Sequence, residues 1–372
     1  MAARGHASGM LRRWLVVLVG LAVLLALPSV IGALPASDAG TPAAELRGRA
    51  LDSAGVAFSG YAQSAGGLAL PVGDQLTSAA DLFSDRTTMR AWYRGADDWR
   101  VDLVSATGET GIHRDAAGTW TWRYEDDVAT RTTPTPLALP AAPDLLPSEL
   151  GRRLLSEATD GEVSRLGADR VAGRDALGLR ITPADEAAAV SRVDVWVDAA
   201  SGVPLRVQVY GDDPVAALDT SFFSLDLATP AASLTAFTPP PGAEVRQDQQ
   251  QQDLLDAGGR FRGVPLPGSL AGLDRRTLPG APGAVGVYGR GITLLAVSAL
   301  PGRAASSLRA QLSQAPDAVV DDLGVRIAAG PLGLMLVDGA RGDGGAVLLA
   351  GTVSLDALAT AATQLGTPGG GQ

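Results

Sequence analysis

Val193-Asp-Val-Trp-Val-Asp-Ala-Ala-Ser-Gly-Val-Pro-Leu-Arg206 reads as two strands and the turn between them. Arg192–Val197 alternates β-branched with polar or aromatic residues, Asp198-Ala-Ala-Ser-Gly202 supplies turn formers, and Leu205–Tyr210 resumes the alternation. Period-two alternation on both sides of such a turn marks an antiparallel hairpin. The same pattern extends upstream. Thr87–Arg94, Trp99–Val104, Gly108–His113 and Thr119–Tyr124 alternate around the turns Gly95-Ala-Asp-Asp98 and Asp115-Ala-Ala-Gly118. Strands are also expected at Val56–Gln63, Val163–Leu166, Asp169–Val171, Ala176–Pro183 and Ser221–Leu227. The fold class that follows is mainly β with packed helices (α+β).

Helices are fewer. Thr41-Pro42 opens one over Ala43 to about Ala54, with threonine as cap and proline as first helical residue. Gly73–Phe83 suits a short helix or lid. Pro147–Glu157 puts Leu150, Leu154 and Leu155 on one helical face. The segment between Thr132 and Pro147 is proline-rich and reads as an extended connection, and Pro239-Pro-Pro-Gly242 closes the first unit. A glutamine run, Gln249 to Gln252, lies in a linker or short polar helix. A second, smaller α/β unit has strands near Val285–Arg290, Ile292–Ala299, Val325–Ala328, Leu332–Val337 and Ala346–Val353. Its helices fall at Arg303–Gln314 and Leu355–Leu365. The expected division is 1–36 anchor or signal, 41–242 first domain, 243–259 linker, 260–366 second domain and 367–372 disordered tail.

The N-terminus suggests where these units work. Arg4, Arg12 and Arg13 precede an apolar run from Trp14 through Leu34, and no charged residue occurs between Arg13 and Asp38. About 20 apolar residues suffice to cross a bilayer, and basic residues before them hold that end in the cytoplasm. The expectation is a single-pass cell-membrane protein with both folded units extracytoplasmic; the alternative is secretion after signal cleavage.

Composition removes whole classes of function. The 372-residue chain carries a formal charge of −10, and all its acidic residues lie at Asp38 or beyond. An acidic ectodomain is unsuited to nucleic acid. All 30 basic residues are arginine, which excludes a Walker-A loop, Schiff-base chemistry and a Ser-Lys dyad. There is no cysteine, hence no disulfide, thiol nucleophile or lipid-modified cysteine. His113 is the one histidine beyond the N-terminal segment and has no Gly-x-Ser-x-Gly elbow to serve; it is expected at the surface of a strand end. The acidic clusters Asp97-Asp98, Glu125-Asp126-Asp127, Asp212-Asp213 and Asp321-Asp322 fall at turns and lack calcium-loop spacing. Gly286-Val-Tyr-Gly-Arg-Gly291 leads into a strand and is a hairpin turn. No enzyme, metal or cofactor is expected.

The aromatic residues carry the functional signal. Trp92, Trp99, Trp120, Trp122, Tyr124, Trp196, Phe222 and Phe223 all fall in expected strands, and Trp120, Trp122 and Tyr124 share one face at i, i+2, i+4. Such a set forms a core beneath a helix, a cavity for a lipophilic ligand, or both.

Three further stretches complete a pattern: Arg90-Ala-Trp-Tyr-Arg-Gly-Ala-Asp-Asp-Trp-Arg-Val101, Asp115-Ala-Ala-Gly-Thr-Trp-Thr-Trp-Arg-Tyr124 and Val171-Ala-Gly-Arg-Asp-Ala-Leu-Gly-Leu-Arg-Ile-Thr-Pro183. With the 193–206 hairpin and Phe237-Thr-Pro-Pro240, they make residues 43–242 resemble the LolA-like lipoprotein-carrier superfamily. The added C-terminal unit resembles the layout of RseB/MucB-type periplasmic sigma-factor regulators. The resemblance implies an incomplete antiparallel β-barrel closed by helices, with an apolar cavity for acyl chains. It implies two kinds of partner: a lipid or lipoprotein acyl chain, and a membrane protein such as an anti-sigma factor.

Overall fold

Two strand meanders, meeting at one seam, build the larger sheet. The computed structural model describes residues 36–66, 86–105, 108–133, 141–248, 266–277, 285–300, 302–337 and 346–366, with Trp14 and Val17. The first meander is β1 (Phe58–Gly66), β2 (Arg86–Gly95), β3 (Asp98–Val104), β4 (Glu109–Asp115), β5 (Gly118–Arg123) and β6 (Val128–Thr132). The second is β7 (Val163–Val171), β8 (Arg174–Ile181), β9 (Arg192–Asp198), β10 (Pro204–Tyr210) and β11 (Leu218–Asp226). Antiparallel pairing of β1 with β11 joins them, and β12 (Glu244–Gln247) adds a parallel strand beside β6. The order is β12-β6-β5-β4-β3-β2-β1-β11-β10-β9-β8-β7, so the sheet is open at β12 and β7 and is not closed into a barrel. Residues 244–247, expected at the start of a linker, are therefore part of the sheet. The two short strands expected at 163–166 and 169–171 are one strand with a register shift between Leu166 and Asp169.

Register fixes the two faces. Tyr93 pairs with Phe58 and Trp99, and Ala91 with Val101, so these residues share a face with Met89 and Ala62. Across the seam, Ala62 pairs with Phe222, and this face continues through Val207, Val195 and Leu179. We call it the inner face. Helix α1 (Ala43–Asp52) packs on β7 and β8, and α2 (Pro147–Glu157) on β10, both over this face. Proline at the first position and Glu149 in the first turn favour helix initiation in α2. Leu154 and Leu155 are its buried apolar residues. Gly151 makes the close approach possible, because a Cβ there would lie 2.6 Å from Pro204 Cβ.

A third helix, α3 (Ala232–Thr235), belongs to a segment crossing the opposite, outer face. Beyond it, β13 (Ser269–Leu270) and β14 (Leu273–Asp274) form a small hairpin. The second sheet contains β15 (Val285–Arg290), β16 (Thr293–Leu300), β17 (Val319–Asp321), β18 (Gly324–Ala329), β19 (Leu332–Val337) and β20 (Ala346–Gly351). It carries helices α4 (Gly302–Leu312) and α5 (Leu355–Gly366). Leu334 and Leu336 pack in a cluster with α4, whereas Met335 and Val337 pack with α5. Both faces of β19 are covered, which explains its unbroken apolar sequence.

The anchor expected from residue 14 to 34 is corrected. Among the described residues no helix is long and apolar enough to cross a membrane. Apart from Trp14 and Val17, that stretch lies outside the described residues, as do the expected lid at 73–83, the glutamine run and the tail.

The two sheets meet through arginine and glutamate. Arg290 donates to both oxygens of buried Glu162, at 2.8 and 2.9 Å. Arg276 donates to both oxygens of Glu157, and the Gly291 amide donates to Glu157 at 2.7 Å. Backbone bonds from Ala189 to Thr352 and from Ser354 to Ala187 extend the seam. The Arg290 fork, with amide and hydroxyl donors from Thr159 and the Ala184 amide, holds Glu162 down at about 2 from an ordinary 4.5. A carboxyl depressed on folding contributes stability above its unfolded value and loses it as pH falls from about 4.5 towards 2. Arg290→Met should cost about 1–3 kcal/mol at neutral pH by stranding the carboxylate. Urea midpoints measured across pH should show a smaller acid-induced loss over that window in the variant; parallel pH profiles would contradict this assignment.

Candidate functional site

The eight aromatics divide between the two faces. Trp99 and Phe222 lie on the inner face, by their pairings with Tyr93 and Ala62. Trp92 pairs with Ser59 and Arg100, Trp120 with His113, and Trp196 with Arg206, which sets them on the outer face. Trp122 and Tyr124 follow Trp120 there, and Phe223 meets outer-face Tyr61 edge-on at 6.1 Å. The expectation of one aromatic cavity is thus corrected: alternation of side chains across a strand divides the set.

Most of the outer aromatics are engaged by the protein itself. Phe237 packs against His113 at 4.7 Å, Trp120 at 5.8 Å and Trp122 at 6.1 Å, leaving Trp122 5% exposed. Arg131 stacks over Trp120, Arg100 over Trp92 and Arg206 over Trp196. Phe223, 60% exposed, and Tyr124, 43% exposed, remain open to solvent. The segment bearing Phe237 is tied down by Arg94, which donates to the Pro230 carbonyl, and by the Nδ1–H of His113, which donates to the Thr235 carbonyl at 3.0 Å.

His113 is buried here, contrary to the surface position expected of it. Burial pushes its pKa below the ordinary value of 6.5, against the raising effect of the Thr235 bond. It is a neutral clamp for the outer segment. Among the described residues no group of three or more His, Asp or Glu is placed to hold a metal ion.

The inner face encloses a cavity of about 210 Å³. Ala91, Tyr93, Trp99 and Val101 supply its wall from β2 and β3, and Leu146 and Arg152 supply the side nearest α2. The Tyr93 hydroxyl donates to the Ala54 carbonyl at 2.8 Å, which holds the ring as a fixed wall. Burial, with Glu149 nearby, raises the Tyr93 pKa, so the phenol stays neutral. Asp144 and Glu149 add carboxylates to the lining. Trp92, between inward Ala91 and Tyr93, borders the cavity although its ring lies on the outer face beneath Arg100. Sequence reasoning missed Tyr93, although Met89, Ala91 and Tyr93 repeat at period two. Arg152 was missed because a charged residue on an amphipathic helix ordinarily faces water.

Part of the larger unit matches a family model. Residues 123–249 match the MucB/RseB N-terminal domain. That match runs from the end of β5 through α2 to β12, and includes the 193–206 hairpin and Phe237. The MucB/RseB family is non-enzymatic, in agreement with the reading of this chain as no enzyme. Among solved structures, the Pseudomonas aeruginosa MucA/MucB complex is 19% identical, with 86% of this chain and 96% of that chain covered and a TM-score of 0.49. MucB in complex with MucA(peri) gives 19%, the same coverage and 0.48. A LolA superfamily protein from Nitrosomonas europaea gives 12%, covering 53% of this chain and 98% of that one, at 0.26. No curated protein matches the chain.

Phe237→Ala should cost about 1–3 kcal/mol, below the roughly 3–5 kcal/mol of a fully buried phenylalanine, because Phe237 is only partly buried. Opening the His113 pocket to water should also move the imidazole pKa up towards 6.5. An NMR titration of His113 reads the second effect; an unchanged curve would show that Phe237 does not seal the pocket.

Proposed function

We propose that this chain is a non-enzymatic binding protein that takes a lipophilic ligand, a lipid or lipoprotein acyl chain, in the inner-face cavity. One observation carries the reading: the cavity lies between an aromatic and aliphatic sheet wall and α2, with Tyr93 and Trp99 as its large apolar surfaces. Apolar pockets with a few convergent polar groups are the usual form of small-molecule sites. No cofactor or covalent step enters.

A second reading joins the first through α2. The helix that contributes Glu149 and Arg152 to the cavity ends at Glu157, which holds Arg276 and the Gly291 amide of the smaller unit. A ligand that fits one placement of α2 better than another shifts the placement of the second sheet by that difference in affinity. The MucB/RseB match favours a regulator that converts such a shift into binding or release of a membrane protein partner, such as an anti-sigma factor. A MucB chain has been captured in complex with MucA(peri), and the proposal brings that mode of action to this chain.

The test is native mass spectrometry of the purified chain, before and after organic extraction. An acyl-chain adduct should be present, should disappear in Trp99→Glu on the inner face, and should persist in Phe223→Glu on the outer face. An apo mass that takes up neither added phospholipid nor lipopeptide would remove the lipid reading and leave the protein partner as the ligand to seek.

A further inference from the structure

We propose that residues 228–237 form a strap that protonation of His113 opens, uncovering Trp120 and Trp122 of the outer face in acid. The inference is independent of the inner cavity. Within the strap, α3 packs on β2 and β3. All ten residues are exposed except Pro230, Thr235 and Phe237, so the strap is held at three points. At the first, Arg94 donates to the Pro230 carbonyl. At the second, the buried Thr235 accepts from His113 Nδ1–H through its carbonyl, at 3.0 Å, and its hydroxyl donates to the Ala232 carbonyl. At the third, the Phe237 ring lies against His113, Trp120 and Trp122. His113 takes part in two of the three. A segment with so few buried contacts opens locally at a fraction of the cost of global unfolding.

The setting of the ring suits a neutral imidazole and opposes an imidazolium. His113 is 4% exposed. Its Nε2 lies over Gly111, where a Cβ would come within 3.2 Å of it and 3.3 Å of Asp102 Oδ1. Arg100 faces the ring from the neighbouring strand and already engages both Asp102 oxygens, each at 2.6 Å. Arg131 stacks over Trp120 and adds a second cation. The strap itself carries no ionisable side chain. Burial works to raise the Asp98 pKa, but bonds from Thr235 and Arg94 outweigh it and keep this carboxylate charged throughout the range in which an imidazole titrates. A proton on Nε2 therefore buries a cation with no uncommitted carboxylate among the described residues around it. Lifting Phe237 gives the ring to water. With the strap open the imidazole titrates near its ordinary 6.5; with it closed, burial lowers the value, aided by Arg100 and opposed by the Thr235 bond and Asp102. The closed form thus binds fewer protons. Its advantage is whole above 6.5 and falls with pH until the closed-form ring itself titrates.

Hydrogen–deuterium exchange of the full chain, read by mass spectrometry and corrected for the intrinsic rate at each pH, tests this. The opening equilibrium of peptides covering 228–237 should be larger at about pH 5.5 than at about pH 7.5, by up to about tenfold, the limit set by one group that titrates at 6.5 when open. Peptides from β9 and β10 should not change. In His113→Gln, neutral at both pH values, the strap should open equally at both. An NMR titration of the His113 ring in the unaltered chain gives a readout that needs no variant. Its midpoint should fall below 6.5, and the rise in exchange should level off there. If His113→Gln fails to fold, these two curves decide. Strap opening that does not vary with pH overturns the inference, and so does a rise that persists in His113→Gln. A ring that titrates at 6.5 or above also overturns it, because the imidazolium is then accommodated beside Asp102 under a closed strap.

Discussion

The pairing of β1 with β11 is the contact on which the rest of the larger unit depends. It joins the first strand of one meander to the last strand of the other, so neither half of the inner face is complete without it. A glycine permits the seam: a Cβ on Gly60 would lie 2.9 Å from the Ser224 carbonyl oxygen and 3.0 Å from the Phe222 ring. Phe222 then fills the space, edge-on to Phe58 at 5.5 Å, while Phe58 stacks on Tyr93 at 5.1 Å. The seam also dictates the position of α2. With β6 near one edge and β7 at the other, the connection between them must travel the width of the sheet. Its apolar helix finds burial only over the inner face. The side of the cavity opposite the sheet is thus a consequence of strand order.

The outer face is held by a different chemistry. Asp102, Asp194 and Asp198 are almost fully buried, and each accepts a two-pronged bond from an arginine: Arg100, Arg180 and Arg174. Arg206 and Asp219 make the same pair across β10 and β11. A lysine has no planar fork to satisfy both carboxylate oxygens, so an arginine-only chain is well matched to this ladder. In Asp198 burial works to raise the pKa, but the Arg174 and Ser201 bonds outweigh it and the carboxyl is held below its ordinary value. A one-residue slip would carry each aspartate to the apolar side, so these pairs penalise the wrong register.

Much of the fold was legible because the alternation is clean. Val193, Val195 and Val197 repeat at period two against Arg192, Asp194 and Trp196, and the strands, turn and α2 follow from such patterns. Local alternation divides the single strand β7 into two, because its register shift interrupts the pattern. β12 was read as linker because its residues, Glu244 to Gln247, are all exposed. The site was less legible. Period two puts Trp120, Trp122 and Tyr124 on one face, but which face depends on pairing through β4 and β3 to Val101 and Tyr93, a register that local sequence does not encode. Phe237, whose motif suggests only a domain end, is the residue that packs on Trp120 and Trp122.

That division of faces narrows what the molecule can couple. A ligand in the inner cavity would touch Tyr93, Trp99 and α2, whereas the Phe237 segment is separated from the cavity by the thickness of the sheet. From Arg152 to Glu157 is five helical residues, a rise of about 7.5 Å. Within that distance one rigid helix touches both the cavity and the smaller sheet. A displacement of the helix at Arg152 would reach Glu157 as a body, and the bonds from Arg276 and the Gly291 amide would have to follow or break. Arg290 binds Glu162 beyond the end of α2 and resists that movement. The coupling available to a ligand is bounded by its preference between the two helix positions, and a ligand with none moves nothing however tightly it binds. A regulator on this scaffold accordingly needs a ligand that reaches α2, where Glu149 and Arg152 border the cavity.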